Sequence, residues 1–326
     1  MSNVVIFAPS PVLTVTVEDH DGAADIHLHA GGQGVWQARM LIRLGATVTM
    51  CSVLAGETGN TLRHLIGDEG IHLLDVSGRG RTAAYIHDRR AGERTVIAEI
   101  AGEPISRHDL DELYGLTLRA ALEDKTVILS GPASDRVLSP DVYRRLAADL
   151  GAAGCRVIAD LSGQRLDAAL AGGLAVVKVS DQELFIDGRI AGHGQKGIIE
   201  AMHKLRQDGA ANVIITRGHD PSLILVDGTV SEVHIPKLQV ADTGGAGDSL
   251  TAGVAATLAD GGTIEDAVAL GTAAGALNVT RHGRGTGEAA AVRKLRELVE
   301  IRPIEMAPHP PTQLSPDDLA KRVQET

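Results

Sequence analysis

A chain of 326 residues with 44% hydrophobic residues is long enough for one large domain or two ordinary ones, with a sizeable core. Its net charge of −11 argues against nucleic acid or an anionic membrane surface as the main partner. The N-terminal sequence MSNVVIFAPSP has no basic segment, and no apolar run reaches the roughly 18 residues that span a bilayer, so we expect a cytoplasmic protein. Cys51 and Cys155 lie far apart in apolar surroundings and are expected as buried free thiols.

Short apolar segments alternate with longer amphipathic ones along the chain. The segments predicted as strands are 4–7, 47–52, 127–129, 156–160, 176–179, 212–216 and 223–226. The segments predicted as helices are 34–44, 58–69, 140–151, 198–207 and 264–279. Strands that alternate with helices of this length predict βαβ units. We therefore expect an α/β fold with a doubly wound, mostly parallel sheet covered by helices on both faces.

Two segments depart from this pattern, 12–30 and 82–100, in which polar and apolar residues alternate. Alternation of period two is typical of strands with one solvated face. We predict that both segments form a small β-sheet lid over one edge of the main sheet. The apolar face of this lid needs cover, either from residues on the substrate side or from a second subunit. Residues 302–326, rich in proline and with a charged helix candidate at 316–324, are predicted to extend beyond a single domain of residues 1–301.

The most informative segment is DTGGAGDS at residues 242–249, in which three glycines precede a small apolar stretch compatible with a helix. A glycine-rich turn at a helix N-terminus presents backbone N–H groups to an anion, and the helix dipole adds to them. Asp248, the first acid after this turn, would repel a bound phosphate unless it accepts a proton from an attacking hydroxyl. The alternative is a plain strand-to-helix turn that needs glycine for a positive φ.

These residues resemble the C-terminal signature of the PfkB/ribokinase family of carbohydrate kinases. The N-terminal half carries that family's other signature, with GGQG at 31–34, RLG at 43–45 and GETG at 56–59. DLSG at 160–163 and SGP at 130–132 resemble elements of the 1-phosphofructokinase and tagatose-6-phosphate kinase branch. The resemblance implies a ribokinase-like α/β fold with a β-sheet lid, an ATP-dependent kinase that uses Mg²⁺, and a homodimer formed through the lids.

The resemblance also implies roles for individual residues on the nucleotide side. Asp248 matches the general base, and Gly245, Ala246 and Gly247 match the anion hole for the transferring phosphoryl group. The residues that match the ATP-binding positions are Lys178, Ser180, Thr216, Arg217, Gly218, Gly247 and Thr272.

Some positions on this side leave two interpretations open. Arg217 replaces an apolar residue and is expected either to contact phosphate or to be solvated. Glu183 is expected to hold Mg²⁺ through water, with a helix-capping role as the alternative. Thr272 to Gly275 would let an adenine ring lie against the backbone, or would allow close helix packing. Asp242 belongs to the region that binds a monovalent cation such as K⁺ in some relatives.

The acceptor side departs from the family pattern. The residues expected to bind the substrate are Thr14, Gly31, Gly32, Gln33, Gly34 and Arg81, together with Asp248. Gln33 replaces a lysine that pairs with the substrate's phosphate in the phosphosugar branch. Ala83 replaces an asparagine, and Thr14 replaces an aspartate that binds sugar hydroxyls in the family. We therefore expect a sugar or sugar phosphate that differs from fructose 1-phosphate and tagatose 6-phosphate.

Two other functions stay open on this evidence. A ribokinase-like or nucleoside kinase with an unphosphorylated acceptor is favoured by Gln33 and opposed by Arg81. A non-catalytic sugar or nucleotide sensor is opposed by the intact glycine turn with Asp248, because a pure binder gains nothing from a carboxylate beside phosphate. Trp36 is expected to pack in the helix core, with a place in the wall of the pocket as the alternative. His27 and His29 are expected on a solvated strand face without a metal ion.

Overall fold

The computed structural model describes residues 2–92, 94–281 and 283–304. Its strands are β1 (Asn3–Phe7), β2 (Val12–His20), β3 (Ala23–Gly31), β4 (Thr47–Ala55), β5 (His72–Gly78), β6 (Ala84–Asp88), β7 (Thr95–Ile100), β8 (Thr126–Ser130), β9 (Arg156–Asp160), β10 (Leu174–Ser180), β11 (Ala210–Arg217), β12 (Asp220–Val226), β13 (Thr229–His234) and β14 (Glu300–Pro303). Its helices are α1 (Gln33–Arg43), α2 (Gly56–Asp68), α3 (Arg107–Asp124), α4 (Asp141–Ala152), α5 (Gly163–Gly172), α6 (Asp181–Ile186), α7 (Gln195–Gln207), α8 (Ala246–Ala259), α9 (Ile264–Asn278) and α10 (Ala289–Arg296).

The larger sheet has ten strands in the order β14-β13-β12-β11-β10-β9-β8-β1-β4-β5. The strands from β11 to β5 are parallel, and β12, β13 and β14 add an antiparallel edge. Strands that are covered on both faces bury consecutive residues, which explains the uninterrupted apolar runs in β1 and β8. The predicted α/β fold with a mostly parallel sheet is confirmed.

The hydrophobic core lies on both faces of this sheet. Neighbouring residues of one strand point to opposite sides, so Ile6 belongs to one buried cluster and Phe7 to the other. Aliphatic side chains build most of both clusters. The ring of Phe7 meets the ring of Tyr143 edge-to-face, with 5.6 Å between centroids.

The lid is a separate four-stranded sheet in the order β3-β2-β6-β7. Residues paired across neighbouring strands share a face, so the registers divide its side chains into two sets. The polar set, which we call the inner face, comprises Thr14, Thr16, His27, His29, Tyr85 and His87. The apolar set, the outer face, comprises Val15, Val17, Ile26, Leu28 and Ile86. Ile26 and Leu28 are 61% and 47% exposed, so much of the outer face lies open on the single chain.

Some elements were not predicted from the sequence. Ser106 caps helix α3, because its hydroxyl accepts a hydrogen bond from Asp109 N at 3.2 Å. The helix buries only Leu113, Thr117 and Ala121. This sparse apolar stripe explains why its periodicity is hard to detect. Within the described ranges, no helix has the length and hydropathy that a membrane-spanning segment requires.

The sheet continues a few residues past the predicted domain boundary at residue 302. Glu300–Pro303 pairs with β13, and Ile304 N donates to Val230 O at 2.9 Å. Residues 302–304 therefore belong to the sheet. The helix predicted at 316–324 lies outside the described residues.

Candidate active site

The glycine turn and the first turn of α8 form the centre of the candidate site. Gly245 adopts φ 81°, a conformation that side chains disfavour, and α8 begins directly after it. Ala246, Gly247 and Asp248 occupy the first turn, where N–H groups have no partner within a helix. Ser249 N is the first to bond back, to Gly245 O at 3.0 Å. The turn thus has the geometry that binds an anion at a helix N-terminus.

Asn278, at the end of α9, ties this turn to the loop that follows. Its Nδ2 donates to Gly244 O and its Oδ1 accepts from Gly285 N, both at 2.8 Å. Asp242 Oδ1 accepts from Gly244 N, also at 2.8 Å, which closes the turn from the other side. Asn278 is fully buried, and sequence reasoning missed it. An asparagine within an otherwise apolar helix end was the available signal.

A buried lysine reaches the glycine turn from β10. Lys178 Nζ donates to Asp160 Oδ1 at 3.1 Å, and a Cβ placed on Gly247 would lie only 2.4 Å from that Nζ. Asp160 Oδ2 also accepts from Thr251 Oγ1 at 2.8 Å and from Gln37 Nε2 at 3.2 Å. Asp160 therefore joins β9, β10, α1 and α8. The sequence indicated Asp160 only as part of a motif and gave Gln37 no role.

This arrangement changes the acid–base properties of the site. Burial lowers the pKa of Lys178, but the attraction of Asp160 opposes it and, with Glu183 and Asp248, raises that pKa to about 12. Burial, followed by repulsion from Asp160, raises the pKa of Asp248 to about 7, against the lowering effects of Lys178 and Arg284. Lys178 is then a permanent cation near neutral pH, whereas Asp248 can exchange a proton there.

The remaining nucleotide-side residues lie at the carboxyl ends of β10 and β11, where Ser180 pairs with Thr216. Glu183 forms a capping box with Ser180, because its Oε2 accepts from Ser180 N and Ser180 Oγ, both at 2.7 Å. The capping alternative for Glu183 is thus what the structure has, and a water-mediated contact with Mg²⁺ stays a prediction. Ser180 Oγ therefore already makes its hydrogen bonds within this cap.

Arg217 fills the turn between β11 and β12. Its side chain is 11% exposed, its Nη1 donates to Pro221 O at 3.2 Å, and Asp220 lies 3.7 Å away. The expectation of a solvated Arg217 therefore does not hold, and a contact with phosphate stays a prediction. Gly218 follows in the same turn with φ 57° and an exposed backbone.

The helices α8 and α9 approach closely at small residues. A Cβ on Gly275 would lie 2.8 Å from Ala246 O, and one on Gly271 would lie 2.6 Å from Leu250 O. Close packing thus accounts for Gly275. Thr272 is different, because its buried Oγ1 has no hydrogen-bond partner among the described residues. A buried hydroxyl without a partner is costly, and a bound ligand would relieve it.

The acceptor-side glycines differ in what they do. A Cβ on Gly31, the last residue of β3, would lie 2.7 Å from Thr14 Oγ1, so β3 ends close against β2, and Gly32 follows with φ 97°. A Cβ on Gly34 would lie 2.4 Å from Ala8 Cβ, so Gly34 serves the packing of α1 on β1. Gln33 Oε1 accepts from Gly131 N at 2.7 Å and thereby joins α1 to the end of β8.

Arg81 is exposed, and with Arg79 and Glu103 it lines a small cavity near the ends of β1 and β4.

The rings of His27 and His29 stack on the inner face of the lid with 5.9 Å between centroids, and His27 Nε2 lies 3.0 Å from Asp25 Oδ2. In the part of the chain that the structure describes, no group of three or more His, Cys, Asp or Glu residues is placed to hold a metal ion.

Sequence reasoning missed Arg284, which lies over the glycine turn. A Cβ on Gly245 would lie 3.0 Å from Arg284 Cβ, and one on Gly244 would lie 2.9 Å from its Nε. The guanidinium stacks on the Trp36 ring, 4.0 Å from the centroid. Trp36 is half-buried beside the turn and supports Arg284, so it is not packed in the helix core, and the alternative, a place in the pocket wall, fits better.

Comparisons with known proteins give relatives over most of the chain. A family model described as pfkB family carbohydrate kinase matches residues 4–290. A 1-phosphofructokinase from Borreliella burgdorferi is 28% identical over 256 residues, which are 78% of this chain and 81% of the relative. The structure of phosphofructokinase-2 from Escherichia coli in complex with potassium has a TM-score of 0.78, at 23% identity, and covers 91% of this chain and 98% of that one. Ribokinase from Arabidopsis thaliana, complexed with ribose and ATP, has a TM-score of 0.69 at 21% identity, and covers 91% of this chain and 98% of that one.

Proposed function

Because this chain belongs to the pfkB family of carbohydrate kinases, we propose that it transfers the γ-phosphoryl group of ATP to a hydroxyl of a sugar or sugar phosphate. The observation that carries the proposal is the position of Asp248 in the first turn of α8. This carboxylate stands in the first turn of α8, where N–H groups have no partner within the helix, with a buried lysine at the same turn. A base, an anion site and a fixed cation are the parts that phosphoryl transfer needs.

Asp248 is the general base of the proposed reaction. It accepts the proton of the acceptor hydroxyl as that oxygen attacks the γ-phosphorus atom, and a pKa near the working pH suits this role. The N–H groups of Gly245, Ala246 and Gly247, with the helix dipole, stabilise charge on the transferring group. Lys178 adds a fixed positive charge at the same turn.

Several features fit ATP and Mg²⁺ as the cofactors. The absence of a side chain at Gly247 lets Lys178 reach the turn, where its charge can pair with a phosphate, and the Thr272 hydroxyl, without a partner among the described residues, offers a polar contact on α9. Mg²⁺ neutralises charge on the ATP phosphates when bound. Glu183 is the residue we expect to help hold it, through water, with the carboxylate oxygen that the cap leaves available.

A monovalent cation and a dimer complete the proposal. Backbone carbonyls around Asp242 are the proposed ligands of K⁺, in line with the potassium complex of the Escherichia coli relative. The outer face of the lid is the proposed dimer contact, because a second copy would cover its exposed Ile26 and Leu28.

Two observations bear on the identity of the acceptor, and they favour different sugars. The relationship to a 1-phosphofructokinase supports a phosphosugar, whereas the loss of lysine at Gln33 favours a neutral sugar. An ATP-consumption assay over fructose 1-phosphate, fructose 6-phosphate, tagatose 6-phosphate, the free sugars and nucleosides tests the proposal. Asp248→Asn is the matched inactive control. Turnover of any sugar that disappears in this variant supports the kinase. Silence across the whole panel with ATP binding retained would instead identify a sensor.

A further inference from the structure

A row of buried polar side chains runs across three strands of the larger sheet. Ser130, Asp160 and Lys178 occupy paired register positions near the carboxyl ends of β8, β9 and β10, so all three point to the same face. None of them is more than 7% exposed. The residues two positions earlier in these strands share that face and are apolar, namely Ile128, Ile158 and Val176. A charged pair in such an apolar layer depends on hydrogen bonds that hold its geometry.

Gln37, on α1, joins two members of this row with the two ends of its amide. The side chain is fully buried. Its Nε2 donates to Asp160 Oδ2 at 3.2 Å, and its Oε1 accepts from Ser130 Oγ. The carbonyl of Ser130 in turn accepts from Tyr143 OH at 2.9 Å. Because the amide is held at both ends, the direction of its N–H toward Asp160 is fixed.

The second donor to Asp160 Oδ2 is Thr251, and its hydroxyl has another acceptor as well. Thr251 Oγ1 lies 2.8 Å from Asp160 Oδ2 and 3.0 Å from Gly247 O, so that one proton serves two acceptors. The Gln37 N–H has no competing acceptor among the described residues. Gln37 is therefore the donor that holds Oδ2, and with Oδ2 held, Oδ1 is directed at Lys178 Nζ, 3.1 Å away.

We propose that Gln37 is a positioning residue of the phosphoryl-transfer site: it fixes the Asp160 carboxylate and, through it, the ammonium group of Lys178 at the glycine turn. This inference rests on the proposed kinase function and adds to it a residue that touches neither substrate. The helix that carries Gln37 is itself fastened to the sheet, because Gln33 Oε1 accepts from Gly131 N at 2.7 Å.

Lys178 needs this support because of its side chain and its surroundings. A lysine is a point charge on a flexible stem of four carbons. Among the described residues, only Asp160 bonds to its ammonium group. If the carboxylate turns away, nothing keeps the charge at Gly247, where the proposed reaction needs it to pair with a phosphate. The loss of Gln37 is therefore expected to act on the reaction through Lys178.

The competing explanation is purely structural, with Gln37 present only to satisfy buried polar groups of the core. Its loss would then lower the free energy of unfolding, and any effect on the kinetics would not depend on Lys178. The positioning role predicts the opposite, because two residues that act through one contact are not additive. A double-mutant cycle between Gln37 and Lys178 separates the two explanations.

The cycle uses Gln37→Met, Lys178→Met and the double variant, with ATP and the sugar of the panel that is turned over fastest. Gln37→Met keeps the length of the side chain and removes both hydrogen bonds. It is expected to lower kcat/KM for ATP at least about tenfold in the wild type, the value of one hydrogen bond to a charged group, and less than about twofold in Lys178→Met. Equal fold-losses in the two backgrounds, or wild-type kinetics in Gln37→Met, would overturn the inference.

Thr117→Val is the matched control for the loss of a buried hydrogen bond. Thr117 is fully buried on α3, and its Oγ1 donates to Leu113 O at 2.8 Å. Thermal unfolding measures the destabilisation of this variant and of Gln37→Met. We expect kinetics within about twofold of wild type in Thr117→Val, since its hydroxyl makes no contact with the row of polar side chains.

Acylation of Lys178 by acetic anhydride, followed by mass spectrometry, tests the same inference without kinase activity and without the double variant. Burial lowers the pKa of Lys178, but pairing with Asp160, with help from Glu183 and Asp248, outweighs this effect and keeps the amine protonated and unreactive. A loosened pair releases neutral amine.

Lys178 should therefore react at least about threefold faster in Gln37→Met than in wild type or Thr117→Val, relative to the exposed Lys196 in the same protein. Faster acylation confined to Gln37→Met supports the positioning role even if no sugar is phosphorylated. Unchanged acylation of Lys178 in a protein that does phosphorylate a sugar overturns the inference and leaves the kinase proposal intact.

Discussion

Lys178 occupies the space that a side chain on Gly247 would need, with its Nζ 2.4 Å from the position of the absent Cβ. The lysine extends from the sheet and is held there by Asp160. The glycine at position 247 therefore does two things at once. It keeps a side chain off the first turn of α8, and it lets a cation approach that turn, where an anion is expected to bind.

Gly247→Ala is expected to displace Lys178 without preventing folding, because the clash involves the end of a flexible side chain and not backbone. We expect kcat to fall at least tenfold and the KM of ATP to rise, measured by steady-state kinetics. Gly115→Ala is the control, since nothing lies within 4 Å of its added Cβ on α3. That variant should keep full activity and gain about 0.5–1 kcal/mol in unfolding free energy. Wild-type kinetics in Gly247→Ala would contradict the role of this contact.

The pH dependence of kcat/KM is expected to follow Asp248. Its raised pKa, about 7, means that the base is protonated below this pH, so kcat/KM should rise as pH increases through 7. Asp160→Asn removes a charge that raises this pKa and should shift the profile to lower pH. Lys178→Met removes a charge that lowers it and should shift the profile to higher pH, with lower activity throughout. Shifts in the opposite directions would show that another group controls the profile.

Asp248→Asn is expected to lower kcat by about 10²–10⁴-fold, the usual contribution of a positioned base. A residual rate within a few-fold of wild type, with the true acceptor at saturation, would rule out Asp248 as the base. Binding of ATP, followed by calorimetry, should be retained in this variant. Asp260→Asn is the control for a change in charge on α8, because Asp260 is exposed at the other end of that helix, away from the turn.

Asp248→Asn is also expected to change how the free energy of unfolding depends on pH. In the folded protein Asp248 holds its proton up to about pH 7, whereas the unfolded chain releases it near the ordinary pKa of 3.8. Between these values the unfolded chain releases the proton while the folded protein keeps it, so the free energy of unfolding falls as pH rises, and above 7 the full loss is present. Asp248→Asn should therefore raise Tm by roughly 2 °C or more at pH 8 and hardly at all at pH 4. Thermal scans of both proteins from pH 4 to 8 measure this, and a constant difference in Tm would contradict it.

The outer face of the lid is expected to form the dimer contact. Leu28→Glu places a charge at the centre of this apolar face and should shift the protein from dimer to monomer in sedimentation or light scattering. Leu122→Glu is the control, because Leu122 is similarly exposed, at 53%, but lies on α3. A monomeric wild-type protein, or dissociation by the control alone, would exclude this contact.

The sequence predicts the family and the fold well, and the match over residues 4–290 confirms the family. The parallel strands are recognisable because burial on both faces leaves continuous apolar runs, and the alternation in 12–30 and 82–100 reveals the lid. Helix α3 and the strands β5, β13 and β14 lack such patterns. Their positions depend on packing and on pairing with distant strands, which local periodicity does not record.

The site was predictable only where local sequence fixes it. Gly245 to Asp248 are contiguous, so a short pattern is enough. Arg284, Asn278 and Gln37 come from separate elements, and only the folded chain brings them to the turn. Glu183 shows a different difficulty. Its place in the sequence fits both a metal contact and a helix cap, and only the hydrogen bond from Ser180 N in the folded chain reveals the cap.

Asn278 gives the site a further mechanical property. Through one amide it fastens the backbone of Gly244 to that of Gly285, next to Arg284. A rigid coupling of this kind means that the arginine loop and the turn in front of α8 cannot shift independently. A ligand that moves Arg284 would therefore also move the N–H groups in front of α8.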